Sequence, residues 1–332
     1  MKTEKSYSDA IYEAFNYLLK NHKEVFIMGQ GLWSPWYVGN TMKNLEIKYG
    51  TKRIIDTPVS ELAVTGAAFG ASLTGKKPIV VHPRMDFMLY AMDTIINQIS
   101  KWRYVMGGNV KTNITIRGII NRGGEQGAQH SQSFHSLFAS IPGLKVVMPF
   151  TVKDSRDLLI SSVLSEDPVI FIDDRWLYEK TEKISNKIVP KKLSSYKPQV
   201  LIKGKDITLI SCGFSTELAL QSANILKSKN INAEVIDLRT LSISEKGWKD
   251  PILKSVNKTK RFVCIDGGWA PCSISSEVTS LIFENISLSK IKSKPIRISL
   301  PFSPAPTSSN MEEKYYPSPK YISGKILKLF NA

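Results

Sequence analysis

Short β-branched segments alternate with segments of helical spacing along nearly the whole chain. A strand that is followed by a helix returns to its sheet in parallel, and a parallel sheet needs helices on both faces. The segments predicted as strands are residues 24–28, 79–81, 114–117, 145–148 and 169–172 in the first half, and residues 207–210, 233–237, 261–265 and 296–299 in the second. This alternation predicts an α/β fold with two doubly wound parallel-sheet domains.

A break in the alternation indicates where one domain ends and the next begins. Residues 181–205 are rich in Lys, contain Pro190 and Pro198, and lack a clear hydrophobic period. This composition is typical of a linker. We therefore expect a first domain at residues 1–180 and a second at residues 206–332, each long enough for a core of its own.

The charge pattern limits the classes of partner. The chain has 45 Lys and Arg against 29 Asp and Glu, a formal net charge of +16. Because the basic residues are spread along the chain, we expect no nucleic-acid site, whereas a basic surface facing an acidic partner subunit stays open. The three cysteines form no C-x-x-C pair, and no apolar run is long enough to span a bilayer. The expected setting is the cytoplasm, without membrane contact.

One predicted helix, residues 86–106, has a narrow apolar stripe whose members recur at steps of four and three: Met88, Met92, Ile95, Ile99, Trp102 and Met106. This spacing is typical of a helix that packs along another long helix. Two interpretations stay open. The stripe belongs either to the core of the domain or to a subunit interface, where Met and Trp are favoured.

The stretch GASLTGKK, residues 70–77, has the glycine and lysine spacing of a phosphate-binding P-loop. A P-loop follows a strand and opens a helix, so that free N–H groups face the phosphate. Here a helix over residues 62–73 comes first, Gly75 is expected to cap its C-terminus, and a strand follows. The nucleotide interpretation fails. What remains is the acid at the helix start, Glu61, which Ser60 is expected to cap and which by itself would only stabilise the helix dipole.

A glycine-rich polar loop, residues 121–135, follows a strand that ends at Ile120. Ligand crevices of open α/β sheets lie at the carboxyl ends of strands, so this loop is well placed for a site. His130 and His135 are five residues apart and have no Cys or Asp at ligand spacing, so we expect no metal site in this chain. A general acid or base role for His130 is the better interpretation.

Five segments occur together and in order: DTPVSELAVTGAAFGASLTGKKPIV, GAQHSQSFHSLFASIPGLKVVMPF, IDLRTL, DGGWAPCSISSEV and PAPTSSNMEEKYYPS. In this combination, over nearly its whole length, the chain resembles the beta subunit of the thiamine-diphosphate-dependent 2-oxoacid dehydrogenases, the first component of the pyruvate, branched-chain and acetoin complexes. The resemblance implies a pyrimidine-binding transketolase-like domain followed by a transketolase C-terminal-like domain. Transketolase and deoxyxylulose-phosphate synthase share these two domains.

The resemblance implies roles for individual residues. Glu61 occupies the place of the acid that bonds to the aminopyrimidine ring nitrogen of thiamine diphosphate, and Phe87 the place of an aromatic ring against that pyrimidine. His130 falls where a histidine contacts the substrate and the incoming lipoyl group. Gln30 stands where the family usually has an acid that contacts the cofactor region, so a proton relay through that acid would be altered.

The family's motif for holding magnesium and diphosphate, G-D-G followed by Asn, is absent from the sequence. The resemblance therefore implies that an alpha subunit holds the diphosphate and Mg²⁺, that the assembly is an α2β2 heterotetramer, and that a lipoyl-bearing acyltransferase core accepts the product.

Two alternatives to the dehydrogenase stay open: a split transketolase-like carboligase that joins the decarboxylated unit to an aldehyde, and a non-catalytic scaffold subunit. Residues expected to contact the substrate are His82, Arg84 and Gln129. The first two stand where relatives are more apolar, and would favour an anionic or sugar-like substrate.

Overall fold

A computed structural model of the chain describes residues 2–34 and 36–330. The chain forms two compact units. The first unit runs to Arg122 and resumes from Phe138 to Ser195, and the second comprises Gly123–Leu137 together with the chain from Tyr196 onwards.

The first unit is built on a parallel sheet of six strands in the order β3-β2-β4-β5-β7-β6. The strands of this unit are β1 (Lys2–Ser6), β2 (Val25–Gly29), β3 (Ile54–Asp56), β4 (Lys77–His82), β5 (Thr115–Ile120), β6 (Lys145–Val147), β7 (Val169–Asp174) and β8 (Thr181–Ser185). Its helices are α1 (Tyr7–Asn21), α2 (Leu45–Tyr49), α3 (Glu61–Leu73), α4 (Ser100–Val105) and α6 (Val152–Val163), and α5 (His135–Ala139) returns the chain from the second unit. β1 and β8 pair antiparallel as a separate ribbon. Every residue of β5 and β7 is buried, as expected for strands covered on both faces.

The second unit is built on a five-stranded sheet in the order β13-β12-β10-β11-β9. Its strands are β9 (Gln199–Ile202), β10 (Ile207–Ser211), β11 (Ala233–Asp237), β12 (Phe262–Trp269) and β13 (Ile296–Leu300). Its helices are α7 (Phe214–Lys227), α8 (Asp250–Thr259), α9 (Ile274–Asn285), α10 (Ser309–Tyr315) and α11 (Pro319–Leu327). Apolar residues of β10, β11, β12, α7 and α11 form one continuous buried cluster.

The predicted fold class is confirmed, and each predicted strand lies on an observed one. Three details differ. β9 is antiparallel at the edge of its sheet, where pairing with one neighbour suffices. The predicted linker, residues 181–205, contains β8 and β9, which pair with β1 and β11 despite the lysines. The glycine-rich segment 123–137 groups with the second unit, because its hydrogen bonds go to residues there.

The helix predicted over residues 86–106 is divided into three turn types. A 3₁₀ segment (Met85–Ala91) is followed by a π-helical segment (Thr94–Ile99) and then by α4. Met88, Ile95 and Ile99 are fully buried within this chain, so this part of the stripe is core. The stripe leaves the core at its last member, Met106, which is 39% exposed, and the neighbouring Tyr104 and Val105 are 89% and 65% exposed. No helix in the described ranges is long and apolar enough to cross a membrane.

Candidate active site

Polar side chains gather at the carboxyl edge of the six-stranded sheet in the first unit. Gln30 follows β2 and is half-buried. Asp56 ends β3, and its Oδ1 accepts a hydrogen bond of 3.1 Å from the backbone N–H of Leu32. Since parallel strands end at the same edge, the segments after β2 and β3 are tied together there. The sequence alone did not identify Asp56 as part of this arrangement.

Glu61 is the first residue of α3 and is half-buried. The run of Ala and Leu forms the helix, and Gly75 ends it in the left-handed conformation at φ +84°. The N–H groups of Gly75 and Lys76 donate to Ser72 and Ala71, which is the Schellman ending that satisfies the last carbonyls. The predicted cap at the start is wrong, because the Ser60 side chain makes no capping bond. The N-terminus of α3 thus offers its dipole to Glu61 and leaves the carboxylate accessible.

His82 ends β4 and is only 3% exposed. Its Nε2 lies 3.3 Å from Oγ1 of Thr65, one helical turn beyond Glu61 on the same face of α3. Burial lowers the pKa of His82 to about 4, so the ring is neutral at physiological pH. A neutral ring offers a substrate hydrogen bonds and no charge, and the contact of His82 with the substrate stays a prediction.

Phe87 lies on the 3₁₀ segment that follows β4, and Arg84 directly precedes that segment. The ring of Phe87 is half-buried and stacks on Tyr90, with centroids 6.4 Å apart and planes at 22°. The Arg84 Nη1 donates to the carbonyl of Pro83 at 3.0 Å. Burial and the nearby Arg175 lower the pKa of Arg84 from its ordinary value. An aromatic face and a partly exposed guanidinium are therefore presented beside the end of β4.

The ends of β4, β5 and β7 are joined by a second polar contact. Asn121, directly after β5, donates from Nδ2 to the Pro83 carbonyl at 2.8 Å. Its Oδ1 accepts a bond of 2.9 Å from Nη1 of Arg175, which follows β7. Arg122 pairs with Asp174 at 2.9 Å. These bonds fix the backbone at Pro83, directly before Arg84 and close in sequence to Phe87.

A fully buried ionic network holds the segment after β2. Arg117 binds Asp173 through two bonds of 2.9 and 2.8 Å, and its Nη1 donates to Oγ1 of Thr41 at 2.9 Å. The Tyr178 hydroxyl donates to the same carboxylate at 2.5 Å. Gly39 has φ +59°, and a side chain there would collide with the Tyr178 ring. The network therefore fixes the chain at Gly39 and Thr41.

The glycine-rich segment of the second unit carries the other predicted residues. Gln129 is exposed and His130 is half-buried. Between His130 and β12 lies a cluster that the sequence did not reveal: His135 is fully buried, its Nε2 is 2.9 Å from Oδ1 of Asp266, and its Nδ1 is 2.7 Å from Oγ of Ser133.

Asp266 is buried, and burial alone would raise its pKa. The neighbouring His135 and the N–H groups of Gly268 and Ser275, at 2.9 and 3.1 Å, outweigh burial and lower the pKa of Asp266 below its ordinary value. The carboxylate is therefore held ionised in a dry position.

The structure thus brings Gln30, Glu61, His82, Arg84 and Phe87 to one sheet edge of the first unit, and places Gln129 and His130 on the segment of the second. Sequence reasoning missed Thr65, whose only signal was its i, i+4 spacing from Glu61, and the partnership of His135 with Asp266, 131 positions away. Within residues 2–34 and 36–330 no three His, Cys, Asp or Glu side chains are grouped so that they could hold a metal ion. Burial raises the pKa of Cys264 to about 12, in keeping with a core thiol.

Residues 3–180 match the pyrimidine-binding domain of transketolase, and residues 197–322 match the transketolase C-terminal domain. A solved split-gene transketolase, described as an inactive beta4 tetramer, has the same fold with a TM-score of 0.77 over 98% of both chains, at 19% identity. The fold therefore defines a protein of the transketolase type, with its two α/β domains in one chain.

Curated relatives narrow this class. The pyruvate dehydrogenase E1 component subunit beta of Rickettsia bellii is 35% identical over 83% of both chains. The beta subunit of acetoin:2,6-dichlorophenolindophenol oxidoreductase of Bacillus subtilis is 33% identical over 98% of this chain and 96% of the relative, and that of Cupriavidus necator is 35% identical over 86% and 82%. The chain belongs to the family of transketolase-like E1 beta subunits, as the sequence motifs indicated.

Proposed function

We propose that this chain is the beta subunit of a thiamine-diphosphate-dependent 2-oxoacid dehydrogenase, which decarboxylates a 2-oxo acid and passes the acyl group to a lipoyl group. The observation that carries the proposal is Glu61, a half-buried carboxylate at the start of α3, within a chain whose relatives are E1 beta subunits. His82 is neutral and contacts Thr65, one helical turn beyond Glu61, which supports a site in which Glu61 is the charged group.

The residues present fit the pyrimidine end of the cofactor. A carboxyl group can share a proton with a ring nitrogen in a hydrogen bond, and Phe87 offers a half-buried aromatic face that can stack on a flat heterocycle. When bound, thiamine diphosphate supplies a carbanion centre that attacks the 2-oxo group and stores the electrons released with carbon dioxide. The chain's own residues would contribute three things. Glu61 would hold a proton, Phe87 would orient the pyrimidine ring, and the buried, neutral His82 would add no positive charge to the site.

His130 is the general acid or base of the second unit in this proposal, since its imidazole is half-exposed and each ring nitrogen can accept or donate a proton. Arg84 is the residue of the first unit best suited to attract the substrate carboxylate, because its guanidinium is partly exposed. Gln129 is exposed and can add a neutral hydrogen bond.

The assembly we propose is an α2β2 heterotetramer. The sequence has no G-D-G motif, so an alpha subunit would supply the diphosphate and Mg²⁺ site. The exposed apolar residues Tyr104, Val105 and Met106 at the end of α4 support a subunit contact there. A lipoyl-bearing acyltransferase core is the proposed acceptor. Three free cysteines are in keeping with a reducing, cytoplasmic setting.

The test is reconstitution with the co-purifying alpha subunit. We expect thiamine diphosphate with Mg²⁺ to bind the complex and not the isolated beta chain, in calorimetric titrations at equal concentrations. We then expect turnover of a 2-oxo acid by the complex, with the acyl group recovered on dihydrolipoamide. Tight binding by the isolated chain would contradict the divided site.

The same assay separates the dehydrogenase from the carboligase. An aldehyde added in place of lipoamide should give little condensed product if the acyl group is meant for a lipoyl group. A product that joins the decarboxylated unit to the aldehyde at a comparable rate would favour the split carboligase instead. No turnover with either acceptor in a cofactor-loaded complex would favour a scaffold subunit.

A further inference from the structure

The segment that carries His130 is fastened to the second unit at both of its ends. At the first end, the N–H of Glu125 donates to both carboxylate oxygens of Glu312, at 3.2 and 3.1 Å. In return, the Glu125 carboxylate accepts a bond of 3.1 Å from the N–H of Ser309 at the start of α10. Glu125 has φ +60°, a conformation that non-glycine residues adopt rarely, so these bonds hold a turn that would not persist by itself.

The other end is fastened by His135 and Ser136. The Oγ of Ser136 accepts a bond of 3.0 Å from the N–H of Ile274, at the start of α9. His135 reaches Asp266 on β12, and Gly268 makes room for it, since a Cβ at that position would lie 3.2 Å from Cε1 of the His135 ring. The helix N-terminus, the carboxylate and the imidazole thus form one connected chain of bonds.

Both ring nitrogens of His135 have defined partners. An ionised Asp266 can only accept, so Nε2 of His135 carries a proton and donates to it. Nδ1 lies 2.7 Å from the Ser133 hydroxyl, which can act as donor or as acceptor. Both nitrogens are therefore satisfied, and the ring has a single orientation.

The set Ser133, His135 and Asp266 has the composition of a nucleophilic triad, but its exposure is wrong for one. His135 has no accessible surface, and Asp266 and Ser133 are 4% and 9% exposed. A substrate carbonyl needs access to the serine and to an oxyanion site beside it. The cluster is therefore a support for the segment and not a nucleophile.

We propose that His135 is the positioning residue for His130. By bonding Asp266 and Ser133, His135 fixes the C-terminal end of the segment. The bonds of Glu125 to Glu312 and Ser309 fix its N-terminal end, and together they hold the imidazole of His130 in one place. The chemical role of His130 rests on the proposed function, whereas its position does not. Variants at His135 therefore act on the reaction through His130 alone.

The first test reads the position of His130 without any turnover. The chain has four histidines, so the imidazole resonances of ¹⁵N-histidine-labelled protein can be assigned by single substitutions. In His135→Phe we expect the His130 resonance to shift and broaden, and the amides of residues 126–134 to exchange at least roughly tenfold faster. His135→Gln, which can still donate to Asp266, should restore most of the wild-type spectrum and also serves if the Phe variant folds poorly.

A matched control is Thr208→Val. It removes a buried hydroxyl of the second unit, which bonds Ser255 at 2.7 Å and Thr259 at 2.8 Å, and leaves the segment intact. The control should leave the His130 resonance unchanged. An unchanged resonance and unchanged exchange in folded His135→Phe would overturn the proposal, whether or not the complex decarboxylates 2-oxo acids.

The second test is a double-mutant cycle in the reconstituted complex. We expect His135→Phe to lower kcat roughly tenfold, and His130→Ala to lower it further. The double variant should be no slower than His130→Ala alone, because His135 then has nothing left to position. Independent, multiplying losses would contradict the proposal. A complex without 2-oxo acid turnover would remove the proposed function, and the resonance test would still decide the role of His135.

Discussion

The two units each bury a histidine at the carboxyl edge of a parallel sheet, and they surround it differently. His82, at the end of β4, is 3% exposed and meets the neutral hydroxyl of Thr65. His135 is fully buried against the end of β12 and meets the carboxylate of Asp266. The extent of burial is nearly the same, so the partner makes the difference.

The partner decides what each histidine can do. Burial without a countercharge lowers the pKa of His82 to about 4, so His82 is a neutral side chain beside α3, the helix that begins with Glu61. Beside Asp266, burial is outweighed by His135 and backbone N–H groups, so that carboxylate stays ionised and fastens the segment of His130. The neutral His82 therefore adds no charge near Glu61. His135, in contrast, bonds the ionised Asp266 and so holds the segment that carries His130.

The largest effect should come from substitution of Glu61, the acid at the start of α3. Glu61→Gln should lower turnover of the complex by roughly 100-fold or more, within the range that general acid–base groups contribute. Stability should change by less than about 1 kcal/mol, because a half-exposed first-turn acid contributes only that much through the helix dipole. Steady-state kinetics and urea denaturation measure the two effects.

A matched control for Glu61 lies in the second unit. Glu217 is an acid in the first turn of α7, so Glu217→Gln should show the same small stability change and full activity. Equal losses of turnover in both variants would mean that Glu61 is an ordinary helix-start acid.

The charged partner should matter most for stability. Asp266→Ala should lower the free energy of unfolding by about 3 kcal/mol, because it leaves the buried His135 and the N–H groups of Gly268 and Ser275 without an acceptor. Denaturant melts of the isolated chain measure this loss. His82→Leu, at the neutral partner, should cost clearly less at pH 7, and a reversed order would break the comparison.

The two histidine sites should also differ in their response to pH. His82 has an unfolded pKa of about 6.5 and a folded pKa of about 4. Between pH 6.5 and pH 4 the unfolded chain therefore binds a proton at His82 that the folded chain does not bind. The contribution of His82 to the free energy of unfolding is fully present above pH 6.5 and is lost as the pH falls towards 4. At pH 4.5 the loss from this residue should be about 2.5 kcal/mol.

Subtraction isolates that contribution. Unfolding free energies of wild type and His82→Leu at pH 7.5 and 4.5 should differ in their pH dependence by this amount, with the variant flatter. The lowered pKa of Asp266 predicts that its own contribution persists to lower pH, below the ordinary carboxyl range. Parallel pH curves for wild type and His82→Leu would show that the ring of His82 is not held neutral.

The sequence predicted the fold well for a physical reason, and the same local signals place the first-unit residues along the chain. Strand periodicity and the helix–strand order around Gly75 are local signals, and they suffice to bring Glu61, His82 and Phe87 to one sheet edge. The bond between His135 and Asp266 joins positions 131 apart and depends on the return of the segment to β12. No local pattern encodes such a pairing, so the sequence alone predicts no role for His135.

The smallest expected effect concerns the hydroxyl behind Glu61. Thr65→Val should cost at most about 1 kcal/mol, because the bond to His82 is long, at 3.3 Å, and a buried ring nitrogen left unpaired carries only that penalty. Thr65→Ser, which keeps the hydroxyl, should cost less, and urea melts of the three proteins can be compared directly.

The pH dependence of the Thr65 variants then separates two causes of the neutrality of His82. If burial dominates, Thr65→Val should retain the stability loss between pH 6.5 and 4, because the ring stays dry. If the loss disappears in Thr65→Val but persists in Thr65→Ser, the hydroxyl itself keeps the imidazole neutral. In that case the contrast between the two buried histidines would rest on one hydrogen bond on each side, and burial would be only the common background.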